Sequence, residues 1–263
     1  MMKLWSACCI VLFSLQAGAE DREIAEISAR QGLEGTMVVA SLHDGRRVAH
    51  NDSRANRRLP AASTFKILNT LIALEEKAIA GKDDVLRWDG RTYALPAWNR
   101  DQTLESAFRV SCVWCYRELA RRVGAEAYRR YLHRSAYGEL SEPFDETAFW
   151  LDGSLRISAV EQVKFLEQVY RRTLPFSVSS YETLRQIMLV EQTPAFAIRA
   201  KTGWAASASP QIGWYVGYVE TPDDVWFFAM NLDVRGEQDL AARQAVTREV
   251  LIAKGIVDRP TGK

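Results

Sequence analysis

The segment Ser63-Thr64-Phe65-Lys66-Ile67-Leu68-Asn69-Thr70-Leu71-Ile72-Ala73-Leu74 repeats its apolar residues at helical spacing. Phe65, Leu68 and Ile72 fall on one side of a helix, and Ile67, Leu71 and Leu74 lie beside them. Three turns with so little polarity predict a helix at the centre of the fold and not on its surface. Two reactive groups stand at its start, Ser63 and Lys66, in the pattern S-x-x-K. Residues three apart share a helix face, so the hydroxyl and the amine converge. The helix N-terminus adds free N–H groups and a positive dipole end, which favour negative charge on an attacked carbonyl. Desolvation disfavours the charged amine, lowers its pKa and makes it usable as a base. Taken alone, the four residues also fit an N-cap serine followed by a lysine that snorkels to solvent.

Upstream of this helix, Met37 to Leu42 and Arg47 to Ala49 are apolar-rich and flank Asp44-Gly45, which predicts a hairpin. Downstream, helical patterns run over Glu105 to Arg122, Ala125 to His133, Ser158 to Tyr170 and Tyr181 to Val190. After Pro194 the pattern turns to strand. Phe196 to Lys201, Ile212 to Glu220 and Val225 to Leu232 are rich in β-branched and aromatic residues, and turn residues separate them. An amphipathic helix from about Asp239 to Lys254 closes the pattern, with Leu240, Val246, Val250 and Leu251 for burial. Strands near both ends with helices between them predict an α/β (α+β) fold. One antiparallel sheet, flanked by helices, would be built from both ends of the chain around an inserted helical lobe. The expected division is a sheet lobe over about 20–62 and 191–263 and a helical lobe over about 63–190, in a single domain over 20–263. Nothing in the sequence marks an internal repeat or a Gly/Ser-rich linker.

The first residues have the form of a signal peptide: Lys3, an apolar stretch from Leu4 to Leu15, and Ala17-Gly18-Ala19 as a cleavage site. The stretch is too short to span a bilayer. The expectation is a leader over 1–19, removed on export to the periplasm or medium, and a mature chain without a membrane anchor. The chain has 34 Lys and Arg, one of them Lys3, against 33 Asp and Glu. That balance, with no basic block, gives no footprint for nucleic acid. Hydrophobic residues at 48% and charged residues at 25% mark an ordinary folded chain, large enough to need no metal or disulfide staple. Cys8 and Cys9 would leave with the leader. Cys112 and Cys115 remain; with only His43, His50 and His133 besides, no metal site is expected. Cys112 and Cys115 are expected inside one helix, where a bridge between such positions is strained, so both are expected to stay reduced and buried.

Lys201-Thr202-Gly203 closes a predicted strand, where a lysine can point into a cleft and a glycine permits close approach of a ligand. S-x-x-K followed by K-T-G is the ordered signature of penicillin-recognising enzymes. A serine from the helical lobe should stand between them, and Ser111, ahead of Val113, fits. With these elements the chain resembles the class D (oxacillinase-type) serine β-lactamases over nearly its whole mature length. Further matching motifs are Tyr137-Gly138, Phe149-Trp150-Leu151 and Ile212-Gly213-Trp214-Tyr215-Val216-Gly217.

The resemblance implies the penicillin-recognising serine-transferase/β-lactamase fold and hydrolysis of a β-lactam through an acyl ester on Ser63. It implies that Lys66 is carboxylated (N6-carboxylysine), drawing on carbon dioxide or bicarbonate and on no other cofactor. Ser111 would relay protons, and the Trp150 indole would hold the carbamate. Lys201 and Thr202 would meet the substrate carboxylate, with Val113 and Gly203 lining the site. The backbone N–H groups of Ser63 and Trp204 would form the oxyanion hole, and Arg243 on the last helix would bind the carboxylate. The expected partner is thus a small β-lactam, for a monomer or homodimer. One departure is Glu139, where the family usually has Asn, and it is left out of the site. No glutamate stands where a class A enzyme would place its deacylating base. Two other classes use the same motifs: penicillin-binding sensor domains and cell-wall D,D-peptidases. Both usually carry Asn where this chain has Val113, and both usually have membrane segments or extra domains.

Overall fold

The computed structural model describes residues 20–259; the expected leader over 1–19 lies outside the described residues. The described chain opens with helix α1 (Arg22–Arg30), capped by the Asp21 side chain, which accepts from Ile24 N. Strands β1 (Gly35–Ser41) and β2 (Arg47–His50) form the hairpin around Asp44-Gly45. A short helix α2 (Asp52–Asn56) and strand β3 (Leu59–Pro60) lead to a 3-10 turn over Ala62–Phe65, and helix α3 (Lys66–Glu75) continues from it. The paired strands β4 (Val85–Leu86) and β5 (Gln102–Thr103) precede helices α4 (Leu104–Arg109), α5 (Val113–Val123) and α6 (Ala125–Arg134). Strands β6 (Glu139–Leu140) and β7 (Leu155–Ile157) pair with each other, and β7 also pairs with β3. Helices α7 (Ala159–Arg171) and α8 (Val178–Ile187) follow, then strands β8 (Leu189–Gln192), β9 (Ala197–Ala205), β10 (Gln211–Glu220) and β11 (Val225–Val234), and helix α9 (Glu237–Ala253).

Six of these strands form one antiparallel sheet in the order β2-β1-β11-β10-β9-β8. Strand side chains alternate between faces. Met37 and Val39 of β1 accordingly pack with Ile24 and Ile27 of α1 and Val246 and Val250 of α9. Val38 packs on the other face, in a cluster with Leu166 of α7 and Leu68 and Leu71 of α3. Both faces are thus covered by helices, which is why the strands read as nearly continuous apolar runs. Helix α3 is buried along almost its whole length, as its composition requires.

Four elements differ from expectation. The helix predicted over Glu105 to Arg122 is two helices, and Ser111 lies in the break with a φ of 57°, not inside a helix. The helix predicted to run to Val190 ends at Ile187, and β8 begins at Leu189 as the sheet edge. Strand β9 continues through Lys201-Thr202-Gly203 to Ala205, so the motif lies within the strand. Helix α1 is an addition to the reading. Among the described residues no helix is long and apolar enough to cross a membrane.

Candidate active site

Ser63 sits in the 3-10 turn and Lys66 is the first residue of α3, so the two side chains leave successive turns on one face. Lys66 Nζ donates to Ser63 Oγ at 3.0 Å. Lys66 has no exposed surface, and burial first, then the nearby Lys201 charge, hold its pKa well below the ordinary lysine value. Its Nζ lies 4.9 Å from the centre of the Tyr116 ring. Neutral amine is the form this surround favours.

Strand β9 brings the second motif against this turn. A Cβ on Gly203 would stand 3.1 Å from Thr64 Cγ2 and 3.3 Å from Thr64 N, so a side chain there would crowd the turn that carries Ser63. Strand β8 pairs with β9 only over Ala197, Ile198 and Arg199, so from Lys201 onward the outer edge of β9 has no strand neighbour. Lys201 Nζ donates to Ser111 Oγ at 3.0 Å and to the Thr202 carbonyl at 2.9 Å. Burial and the Arg243 charge push Lys201 down to about 7.

Arg243 is buried too, and burial lowers its pKa to about 10. It reaches β9 across Gly213, where a Cβ would come within 2.8 Å of Arg243 Cδ. Its guanidinium donates to the carbonyls of Gly203 and Leu240. Lys66, Lys201 and Arg243 are thus three buried basic groups, and none has a carboxylate partner among the described residues. Such a cluster favours an anion from outside the chain.

Trp150 is fully buried, its ring 5.9 Å from that of Phe65, and its Nε1–H has no acceptor among the described residues. An unpaired buried donor beside the Ser63–Lys66 helix start fits an anionic group carried by Lys66. Among the remaining expected residues, Val113 opens α5, Thr202 is half-buried, and Trp204 is 45% exposed with its indole donating to Gln211. Glu139 lies elsewhere, in an exposed ion pair with Arg58.

The cysteines require a correction. Cys112 and Cys115 are joined by a disulfide, with Cα atoms 5.5 Å apart. The expected strain assumed both inside a helix. Cys112 instead caps α5 with non-helical dihedrals (φ −55°, ψ 113°), which frees its side chain to meet Cys115. The bridge therefore closes immediately after Ser111.

Three contributors were not foreseen: Tyr116 against Lys66, Phe108 with its ring 5.5 Å from Lys201 Nζ, and Gln162, which donates to Thr64 Oγ1 at 2.8 Å. Tyr116 lies one turn beyond Val113, and that spacing was the available signal. The other two reach the site through packing between distant segments.

Comparison with known proteins agrees with this geometry. Residues 35–252 match the penicillin binding protein transpeptidase domain family. β-Lactamase OXA-48 of Klebsiella pneumoniae is 41% identical over 224 residues, covering 85% of this chain and 84% of that one. A class D β-lactamase structure from Nostoc superposes with a TM-score of 0.87 at 39% identity, over 89% of this chain and 99% of that one. The class D enzyme FUS-1 (OXA-85) of Fusobacterium nucleatum gives 0.88 at 37% identity, over 91% and 100%. With an S-x-x-K serine on a buried lysine, a K-T-G strand against it and these relatives, the chain belongs to the class D β-lactamases, which are serine hydrolases.

Proposed function

We propose that this protein hydrolyses penicillin-type β-lactams through an acyl ester on Ser63, with carboxylated Lys66 as general base, and so confers resistance to them. The observation that carries the reading is the 3.0 Å contact between Ser63 Oγ and the fully buried Lys66 amine. Ser63 Oγ gives up its proton and attacks the lactam carbonyl carbon. The C–N bond breaks, and the ring nitrogen takes a proton for which Ser111, bonded to Lys201, is the relay. Water then cleaves the ester and restores Ser63. The backbone N–H groups of Ser63 and Trp204 are the proposed oxyanion donors. Lys201, Thr202 and Arg243 would receive the substrate carboxylate, where a guanidinium offers two parallel donors. Val113 and Gly203 would line the site.

A carbamate on Lys66, formed reversibly from carbon dioxide or bicarbonate, would supply an anionic base for both steps. Lys66 supports that assignment as an amine favoured in its neutral, nucleophilic form, and Trp150 Nε1 as a donor with no other acceptor. Residues 1–19 are proposed as a leader removed on export to the periplasm or medium, leaving a monomer or homodimer that starts near Glu20.

Mass spectrometry of the protein with benzylpenicillin over time tests the reaction. We expect a transient adduct on Ser63 that decays with product release; a permanent adduct would make the chain a sensor. Turnover in degassed buffer with and without bicarbonate, read beside carbon-13 NMR of labelled carbamate, tests the base. Full activity without bicarbonate and without a carbamate signal would leave the neutral Lys66 amine as the base.

A further inference from the structure

We propose that the groove along the outer face of α5 is a second substrate-binding site, taking an aromatic acyl side chain that carries its own anionic group. The inference rests on the acylation of Ser63 proposed above. The groove has a volume of about 600 Å³, and Val113 lines it. Tyr93, Trp98 and Trp114 form an aromatic wall, with the Tyr93 ring 6.1 Å from that of Trp98 and 6.5 Å from that of Trp114. The wall is tied to the turn that holds Ser111. Trp98 Nε1 donates to the carbonyl of Val110, one residue before Ser111, and Trp114 Nε1 donates to the carbonyl of Trp98.

The charges in the groove are unequal. Arg87 pairs with Asp101, Arg91 with Asp89, and Arg121 and Arg122 share Glu118. Arg117 also lines the groove and has no salt-bridge partner among the described residues. It lies one turn beyond Val113 on the same helix face, roughly 6 Å along the axis. A ring seated on Trp98 and Tyr93 with an anionic substituent directed along α5 would meet this guanidinium. Aromatic contact would hold the ring, and a charge-assisted hydrogen bond would select the anion.

Benzylpenicillin and carbenicillin test this, since they differ by one carboxylate on the carbon that bears the phenyl ring. Arg117→Gln should lower kcat/KM for carbenicillin about tenfold, chiefly through KM, the scale of one charge-assisted hydrogen bond. For benzylpenicillin the change should stay within about twofold. Arg117→Lys should restore part of the loss, and high salt should narrow the difference in the wild type. Equal effects on both substrates, or none on carbenicillin, would overturn the second site while leaving Ser63 acylation standing. Absence of a Ser63 adduct with either penicillin in the wild type would overturn the underlying reading and this one with it.

Discussion

An amine with no exposed surface, 3.0 Å from a hydroxyl and without a carboxylate partner, is cheapest in its neutral state. Ser63 and Lys66 therefore act as a pair, and each makes a separate prediction. Ser63→Ala should abolish the penicillin adduct while circular dichroism and Tm stay near wild type, because the deleted atom is one oxygen in a well-packed turn. An adduct on the variant would remove Ser63 from the mechanism. Trp150→Phe keeps a large apolar ring and removes only the indole donor. It should weaken the carbon-13 carbamate signal and slow deacylation more than acylation; an unchanged signal would mean that Trp150 serves only packing. Arg243→Ala removes donors to Gly203 and Leu240 and a cation from the carboxylate region. The expected result is a raised KM with kcat changed less, and a stability loss of roughly 1–3 kcal/mol for the unpaired carbonyls. A collapse of kcat at constant KM would show that Arg243 is not a substrate anchor.

The break between α4 and α5 shows what residue patterns carry and what they omit. Ser63, Lys66 and Lys201 were legible because each stands in a motif on an element whose period is plain. The left-handed backbone at Ser111 was not, since no glycine or asparagine marks it. Once a continuous helix was assumed, the disulfide was ruled out by a geometry that Cys112 does not have. Strand β8 escaped for a similar reason: its four residues follow α8 directly, with no turn residue to end the helical pattern. Helix α1 did leave a signal, Asp21 as N-cap with Ile24 and Ile27 one turn apart. The disulfide also permits a direct test at this scale. Intact mass without reductant should be two hydrogens below the dithiol mass. A Cys112→Ala/Cys115→Ala variant should lose about 2 kcal/mol, the chain-entropy value for so short a loop. An unchanged mass on reduction would show that the thiols are free.

Across the whole molecule, the sheet and the helices around α3 withdraw three basic groups from water, and their proton equilibria govern the response to pH. Lys66 is held well below its ordinary value by burial and then by Lys201, and Lys201 is pushed to about 7 by burial and then by Arg243. The signs are opposite in function. Acidification protonates Lys66, which can then neither take the Ser63 proton nor react with carbon dioxide, so kcat should fall on the acid side. Raising the pH through 7 discharges Lys201 in the free enzyme and weakens attraction for the substrate carboxylate. That loss belongs in kcat/KM, which reports the free enzyme. In the complex, the bound carboxylate stabilises the Lys201 cation and moves its pKa upward, so kcat should hold over the same range. Arg243, at about 10, keeps its charge there and prevents a complete loss of binding. Steady-state profiles from pH 5.5 to 9 at fixed ionic strength and saturating bicarbonate should therefore show an alkaline limb near 7 in kcat/KM and none in kcat. The same limb in both parameters would move the group into the chemical step. A flat kcat/KM profile from pH 6.5 to 8.5 would show that Lys201 stays charged and that burial does not set its proton affinity.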